Sequence, residues 1–263
     1  MSTRNVAGGE RISVAIRAAS SRGEPALIAG LTAGYPRREQ FASQLAALAR
    51  SADVVEVCVP FTDPMADGIT IQRSSQAALA QGVTLEWILE VLSARSARDV
   101  PVLLMSYLNP LLAYGLERLA AAAAAAGVSG FIVPDLPFDE SSPLKSVLAQ
   151  RELALVQMVT PVTTPQRLKE VCAASEGFIY AVTMTGTTGR SVAVPAAALE
   201  YLDRVRAVSA VPVCAGFGIR NREQVARLAG RVDGVIVASA IIEALERGED
   251  PAAWLAGLRG PKA

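Results

Sequence analysis

Histidine is absent from this sequence of 263 residues, and its charges balance, with 25 lysines and arginines against 25 aspartates and glutamates. Imidazole is the commonest general base and metal ligand among side chains, so any catalysis has to depend on carboxylates, hydroxyls, tyrosines or backbone groups. Balanced, interspersed charges also lack the electrostatic footprint of a protein that binds nucleic acid or a membrane surface. Small molecules or other proteins are therefore the expected partners.

Long apolar runs are missing too. No stretch reaches the roughly 18 residues of a membrane span, and residues 1–19 carry charges and serines instead of the apolar core of a signal peptide. We therefore expect a cytoplasmic location. The three cysteines, Cys58, Cys172 and Cys214, each lie in or beside an apolar segment. Their odd number suits reduced core residues, and their spacing matches no metal motif, so no metal site is expected.

Apolar residues, in contrast, make up 51% of the chain and gather in short runs. Eight runs alternate with amphipathic stretches of helical spacing, and they span residues 26–31, 54–59, 102–105, 130–133, 154–159, 178–182, 211–215 and 234–237. Strands that alternate with helices imply right-handed crossovers and a parallel sheet. Eight such units in about 250 residues predict an α/β fold, a (β/α)8 TIM barrel. An open doubly wound sheet is the alternative, because the pattern does not itself determine closure.

A single TIM-barrel domain over residues 1–263 is expected, because no linker rich in proline, glycine or serine divides the chain. Residues 10–19 predict an extra N-terminal helix before the first strand, and residues 251–258 a short helix after the last barrel helix. The seven alanines of residues 120–126, followed by Gly127, predict a closely packed helix with a glycine stop. Residues 1–8 and 260–263 are expected to be flexible.

Acidic residues lie in the second run and in the loop after it, near the end of the strand where a barrel of this kind has its active site. Glu56 lies inside a strand that is expected to be buried on both faces. Burial raises the pKa of a carboxyl, and a carboxyl poised between its two states can transfer protons; the alternative is a structural Glu held by an arginine or by backbone donors. Asp67, in the following loop, can face the same cavity. Asp63 stands in a Thr-Asp-Pro turn, where a solvated side chain is expected.

Small and hydroxyl residues fill the segment 183–190 after the sixth run, which predicts a mobile lid or, alternatively, a plain surface loop. Tyr180, just before it, is either core filler or a site residue whose hydroxyl needs a partner. Glycines follow the seventh run at residues 216–218, and Ala238 and Ser239 open a helix after the eighth. Those are the two loops in which barrels usually bind phosphate, so a phosphate-bearing substrate is predicted.

Several blocks together carry a family resemblance over nearly the whole chain. The most specific runs from Glu56 through Pro60-Phe61-Thr62-Asp63-Pro64-Met65-Ala66-Asp67-Gly68, and the others span residues 32–34, 71–74, 107–110, 134–137, 185–189 and 216–219. With these blocks the sequence resembles the tryptophan synthase α subunit family. The resemblance implies a lyase that cleaves indole-3-glycerol phosphate to indole and glyceraldehyde 3-phosphate.

The resemblance also implies roles for individual residues. Glu56 takes the position of the general acid and base, and Asp67 that of the carboxylate which accepts a hydrogen bond from the indole N–H. Tyr180 and Thr188 take positions that line the site and hold Asp67 under a closed lid. Substrate and phosphate binding is implied for Thr188, Gly189, Phe217, Gly218, Ala238 and Ser239, and an indole pocket for Gly30, Met105, Ile132 and Tyr107.

A partner is implied as well, namely a β subunit in an α2β2 heterotetramer. Pyridoxal phosphate then belongs to that β subunit, and no cofactor is expected in this chain. Asp63, Pro64 and Asn109 correspond to the surface that contacts the β subunit.

Four positions depart from the family pattern: Gly30 replaces a large aromatic residue, Cys58 and Ala238 replace glycines, and Met184 replaces a lid arginine. Gly30 enlarges the indole pocket unless a neighbour refills it, and Met184 removes a charge from the lid. Three hypotheses therefore stay open: a tryptophan synthase α subunit, a stand-alone indole-3-glycerol phosphate lyase with an altered lid and pocket, and a non-catalytic homologue that activates a partner.

Overall fold

The computed structural model describes residues 7–95, 100–183, 194–216 and 218–260. Its strands follow the apolar runs of the sequence and are β1 (Ala26–Thr32), β2 (Val54–Cys58), β3 (Val102–Met105), β4 (Gly130–Ile132), β5 (Ala154–Val159), β6 (Ile179–Val182), β7 (Val213–Gly216) and β8 (Gly234–Val237). Each strand pairs in parallel with the next, and β8 pairs with β1. The predicted (β/α)8 barrel is thereby confirmed, and the open sheet is wrong.

Helices surround this barrel. Those in the described ranges are α1 (Gly8–Ser20), α2 (Phe41–Ala49), α3 (Ile69–Ala80), α4 (Leu85–Ser93), α5 (Leu108–Tyr114), α6 (Leu116–Ala125), α7 (Ser142–Ala149), α8 (Pro165–Ala174), α9 (Ala196–Val208), α10 (Arg222–Leu228), α11 (Ser239–Glu246) and α12 (Pro251–Ala256). The extra N-terminal helix, the short helix near the C-terminus and the helix of the alanine run are all present. Gly127 follows α6 with a φ of +70°, which glycine adopts without a Cβ penalty.

Strand side chains alternate between two cores, because successive residues of a strand point to opposite faces. On β2, Val55 and Val57 belong to the large cluster between the strands and the helices, whereas Val54 belongs to the cluster inside the barrel. Glu56 and Cys58 share the face of Val54 and therefore point into the barrel. The period of two thus places a carboxyl and a thiol on one interior face of β2.

Helix α1 closes the amino end of the barrel. Its Ile12 and Ile16 are fully buried and belong to the interior cluster. The N–H of Gly8 donates to the carbonyl of Glu152 at 2.7 Å, and Ser13 Oγ donates to the carbonyl of Gly177 at 2.5 Å. Since both carbonyls precede strands of the barrel, α1 is tied to the end opposite the loops that follow the strands.

The described ends are held by hydrogen bonds. Of the terminal residues expected to be flexible, Gly8 is buried at the start of α1, and the N–H of Gly260 donates to Glu24 Oε1 at 2.6 Å. Residues 1–6 and 261–263 lie outside the described part of the chain. Among the described helices, none has both the length and the apolar character needed to span a membrane.

Candidate active site

A cavity of about 450 Å³ opens at the carboxyl end of the barrel. The side chains around it come from β2 and its following loop, from β3, β5, β6 and β8, and from the loops after β7 and β8. They include Glu56, Cys58, Asp67, Met105, Met158, Tyr180, Arg220, Ile236, Ala238 and Ser239. The barrel therefore gathers residues from most of its strands around one space, at the end where TIM barrels carry their active sites.

Glu56 lies on the wall of this cavity with 1% of its surface exposed. Its Oε1 accepts a hydrogen bond from the thiol of Cys58, with Sγ at 3.6 Å, and its Oε2 is buried with no hydrogen-bond partner among the described residues. Burial raises the pKa of Glu56 to about 7, against the hydrogen bond from Cys58, which lowers it, and with the charge of Asp67, which raises it further. Near neutral pH this carboxyl is therefore populated in both protonation states.

Asp67 faces the same cavity from the loop behind β2. The hydroxyl of Tyr107 donates to its Oδ2 at 3.0 Å, and the same phenolic oxygen accepts the N–H of Ala66 at 2.9 Å. Burial raises the pKa of Asp67 to about 6, and the hydrogen bond from Tyr107 opposes that rise. Tyr107 therefore anchors this loop and favours the ionised form of Asp67.

Tyr180 crosses the floor of the site from β6. A Cβ added at Gly216, on the neighbouring strand β7, would lie 2.6 Å from Cε1 and 2.9 Å from the hydroxyl oxygen of Tyr180. Glycine at position 216 thus leaves the room that the ring occupies. Burial, joined by the charges of Glu56, Cys58, Asp67 and Cys214, raises the pKa of Tyr180 well above its ordinary value, so its hydroxyl stays protonated.

The loops after β7 and β8 also line the cavity, through Gly218, Arg220, Ala238 and Ser239. Helix α11 begins at Ser239, and no side chain caps its first turn. Arg220 stands beside this helix start and is paired with Glu243 of α11, its Nη2 lying 2.9 Å from Glu243 Oε1. Ala238 has φ −120° and ψ −64°, outside the left-handed region, so a methyl group is accepted there without backbone strain.

The predicted indole pocket is only partly assembled around the cavity. Met105 lines it, while Tyr107 reaches the site through Asp67 instead. Ile132 is fully buried in the interior cluster, and its predicted role in the indole pocket stays a prediction. Met105 and Met158 pack on that same cluster and also line the cavity.

Gly30 stays off the cavity wall, but it adjoins the site. On β1 it is paired with Glu56, and a Cβ added to it would lie 2.5 Å from Cβ of Ala238 and 3.6 Å from Oε1 of Glu56. The methyl of Ala238 thus occupies the space next to Gly30. Two of the four departures from the family pattern are therefore in contact with each other.

The residues predicted for a partner surface lie on the outside of the mouth. Asp63 and Asn109 are exposed and Pro64 is half-buried. Thr188, Gly189, Met184 and Phe217, for which lid or phosphate roles were predicted, lie outside the described residues.

Sequence reasoning missed several cavity residues: Met158, Arg220 and Ile236 were not predicted as site residues, and Cys58 was noted only as a departure from the family pattern. The period of two along β2 was a usable signal for Cys58, because residue 58 must share the face of residue 56. Arg220 had no comparable signal, since its position depends on the path of a loop.

Comparisons with known proteins agree with this geometry. A family model described as tryptophan synthase alpha chain matches residues 16–257. The tryptophan synthase alpha chain of Nitratidesulfovibrio vulgaris is 44% identical over 247 residues, which cover 93% of this chain and 96% of that relative. The one from Chloroflexus aggregans is 43% identical over 230 residues, or 86% of each chain.

A solved structure of tryptophan synthase from Mycobacterium tuberculosis superimposes with a TM-score of 0.88 at 38% identity, covering 94% of this chain and 96% of that one. The sequence comparisons and the structural comparison therefore agree, and each covers most of the chain. The chain belongs to the tryptophan synthase alpha chain family.

Proposed function

We propose that this chain is a lyase that cleaves indole-3-glycerol phosphate to indole and glyceraldehyde 3-phosphate, with Glu56 as general acid and base. The observation that carries the proposal is the pair of carboxyls on one cavity, Glu56 with a pKa of about 7 and Asp67 with a pKa of about 6. Environments that separate the pKa values of two carboxyls assign one as acid and the other as anion. Family membership supports the same reaction.

The reaction is a retro-aldol cleavage in which Glu56 moves two protons. Protonated Glu56 gives its proton to C3 of the indole ring, and the positive charge that develops on the ring nitrogen is stabilised by ionised Asp67, which accepts the N–H. Glu56, now ionised, removes the proton of the hydroxyl on the adjacent side-chain carbon. The bond from C3 to that carbon breaks, its electrons restore the indole ring, and the carbon becomes the aldehyde of glyceraldehyde 3-phosphate. Glu56 ends protonated, as it began.

The two pKa values make this starting state the prevalent one just below neutral pH. With values of about 7 and about 6, protonated Glu56 and ionised Asp67 occur together in the pH range between the two. More acidic solutions protonate Asp67, and more basic ones ionise Glu56. The site is therefore set for one proton donor and one anion at the same time.

The substrate phosphate is proposed to bind at the start of α11. A helix N-terminus presents N–H donors and the positive end of the helix dipole, and α11 has no side-chain cap that would occupy those donors. Ser239 adds a hydroxyl, and Gly218 brings the backbone of the loop after β7 to the same wall. Asp67 and the start of α11 line the same cavity from different loops, so the ring and the phosphate would be held by different parts of the site.

A β chain that carries pyridoxal phosphate is proposed as the partner, in an α2β2 assembly, with no cofactor in this chain. Exposed apolar side chains near the mouth support a partner surface: Met65 is 80% exposed, Ile69 71% and Leu112 51%. Met65 shares the loop after β2 with Asp63 and Pro64, Ile69 begins α3, and Leu112 shares α5 with Asn109. Large apolar side chains left in water at one place are typical of an interaction site.

Glu56→Gln and Asp67→Asn test the chemistry, because both substitutions keep the shape of the side chain and remove the acid. The purified chain is given indole-3-glycerol phosphate, and indole and glyceraldehyde 3-phosphate are measured separately. We expect each variant to lose at least about 100-fold in kcat, while indole-3-propanol phosphate, which has no hydroxyl to deprotonate, still binds. Glu90→Gln, on the exposed side of α4, is the matched control and should keep full activity. Full activity of Glu56→Gln would refute the proposed role.

Adding a purified β chain separates the three hypotheses. A large rise in kcat on addition indicates an α subunit, whereas strong turnover that the β chain leaves unchanged indicates a stand-alone lyase. If the chain releases no indole under either condition but accelerates the β reaction, it is a non-catalytic activator. The stand-alone lyase is tested because Gly30, Cys58 and Ala238 depart from the family pattern.

A further inference from the structure

The thiol of Cys58 lies beside the carboxyl of Glu56, two residues along the same interior face of β2. Sγ is 3.6 Å from Oε1 of Glu56, within the range of a hydrogen bond from sulfur, and both residues are buried and line the main cavity. An ionised carboxylate has no proton to donate, so the thiol is the donor in that state. The pair is therefore a directed contact inside the site.

The neighbours of Glu56 on the adjoining strands cannot take over this contact. Across β1 the residue paired with Glu56 is Gly30, which has no side chain, and across β3 it is Leu103, which is apolar. Oε2 has no partner in the described part of the chain. Among the described residues, one oxygen of the carboxyl is thus hydrogen-bonded and the other has no hydrogen-bond partner.

The charged and titratable groups that face Glu56 come from other elements. Asp67 reaches the cavity from the loop behind β2, Tyr180 from β6, and Arg220 from the loop after β7, where it is paired with Glu243. Tyr180 stays neutral because burial raises its pKa well above the ordinary value. Across the adjoining strands, Gly30 and Leu103 do not titrate, and neither does Ala238 after β8. On β2 itself, the thiol of Cys58 is the group that forms a hydrogen bond with the carboxyl of Glu56.

A weak donor suits a carboxyl that must both give and accept a proton. An arginine at this place would hold Glu56 ionised, because an adjacent positive charge lowers a carboxyl pKa by one to three units. A thiol is a weak donor, and burial raises the pKa of Cys58 well above its ordinary value, so the donor proton stays in place. The carboxyl is then oriented without being trapped in one state.

We propose that Cys58 is a positioning residue for the lyase reaction: its thiol holds Oε1 of Glu56 and leaves Oε2 free to carry out both proton transfers. The inference rests on the proposed function of Glu56 and extends it to a side chain that does not itself react. By the resemblance described above, the family pattern has glycine at this position, and a glycine has no side chain that could make this contact.

The first test reads the contact directly, without turnover. The carboxyl resonances of chain labelled with ¹³C at the Glu side-chain carboxyl are titrated in the ligand-free state, and Glu56 is assigned by its absence from Glu56→Gln. Cys58→Ala removes the donor and should raise the pKa of Glu56 by roughly half a pH unit. Cys58→Ser retains a donor, so its Glu56 should titrate at or below the wild-type pKa. Cys172→Ala, which removes a buried thiol on α8, is the matched control and should change nothing.

The second test reads the kinetics. With protonated Glu56 as the starting acid, the basic limb of the profile of kcat/KM against pH should move upward in Cys58→Ala by the same shift as the NMR pKa. We expect kcat to fall about threefold to tenfold while KM changes by less than twofold, and Cys58→Ser to restore kcat. Cys58→Val, a second variant without a donor, repeats both measurements if the smaller alanine disturbs folding.

The outcomes separate this inference from the proposed function. If Glu56→Gln is inactive but the alanine, valine and serine variants share the wild-type pKa and kcat, Cys58 only fills space and the positioning role is refuted. A lowered pKa in Cys58→Ala would refute it as well, because water would then be the better donor. If Glu56→Gln is fully active, the proposed function fails, while the titration still decides whether the thiol holds the carboxyl.

Discussion

Replacing Gly30 with alanine should destabilise the barrel, because the new methyl would meet a methyl that is already there. The added Cβ would lie 2.5 Å from Cβ of Ala238 and 3.2 Å from its Cα. Neither atom is the end of a flexible side chain, so the strands β1 and β8 have to shift. Overpacking of this kind typically costs about 1–3 kcal/mol, and the lower entropy of the unfolded alanine variant offsets about 0.4–1 kcal/mol. The expected net loss in the free energy of unfolding is about 1–2 kcal/mol.

The partner substitution should rescue it. Ala238→Gly removes the colliding methyl, so Gly30→Ala should cost little in that background, and the two changes should couple by about 1–3 kcal/mol. Urea unfolding followed by circular dichroism gives the free energies, provided that each variant shows a single transition with an unchanged m value. Gly257→Ala is the control, since Gly257 is exposed with a φ of −63° that alanine adopts readily.

Additive free energies would refute this reasoning. If Gly30→Ala destabilises the chain equally with alanine and with glycine at position 238, the two residues do not collide. An unaffected Gly30→Ala single variant would refute it too, and would show that residue 30 has room for a side chain.

Three further predictions follow from the charges and contacts of the site. Between pH 4.5 and pH 7 the unfolded chain releases the Glu56 proton while the folded chain keeps it, so wild-type stability is lost as pH rises. The stability gained by Glu56→Gln should therefore be larger at pH 8 than at pH 5, by on the order of 2–3 kcal/mol, and a gain independent of pH would contradict the raised pKa. Tyr107→Phe removes the hydrogen-bond donor to Asp67, so the pKa of Asp67 should rise and the acidic limb of the kcat/KM profile should move to higher pH by roughly one unit. If the acidic limb does not move, it does not report the ionisation of Asp67. Leu112→Asp should weaken binding of the β chain more than tenfold in calorimetry with an unchanged circular dichroism spectrum, and wild-type affinity would exclude α5 from the interface.

The strands could be predicted from the sequence because each lies in a short, largely apolar run, and the runs alternate with stretches of helical spacing. The boundaries shifted by one or two residues, as at Val133, which follows β4, and Val211, which precedes β7. Closure could be expected from the number of units. Glu56 and Asp67 were likewise predictable, because a carboxyl inside an apolar run and another in the loop behind it must come near the same end of the barrel.

Contacts between distant loops could not be predicted in the same way. Tyr107 and Asp67 are 40 residues apart, and their hydrogen bond depends on how two loops meet. Gly30 and Ala238 are brought together only because β8 pairs with β1, so their collision cannot be seen until the barrel closes. Periodicity places Ile132 on the interior face of β4 but does not give the depth that a side chain reaches, so its role in the pocket stays a prediction.

The helix α1 has a consequence for the traffic of small molecules. With Ile12 and Ile16 plugging the amino end, a neutral product such as indole leaves the described barrel through the open end, past Asp67 and the loop that carries Met65. The same segment continues into α3, whose first residue, Ile69, is exposed. A protein docked there would receive the product before bulk solvent does, and a stopper at the far end makes that hand-over one-directional.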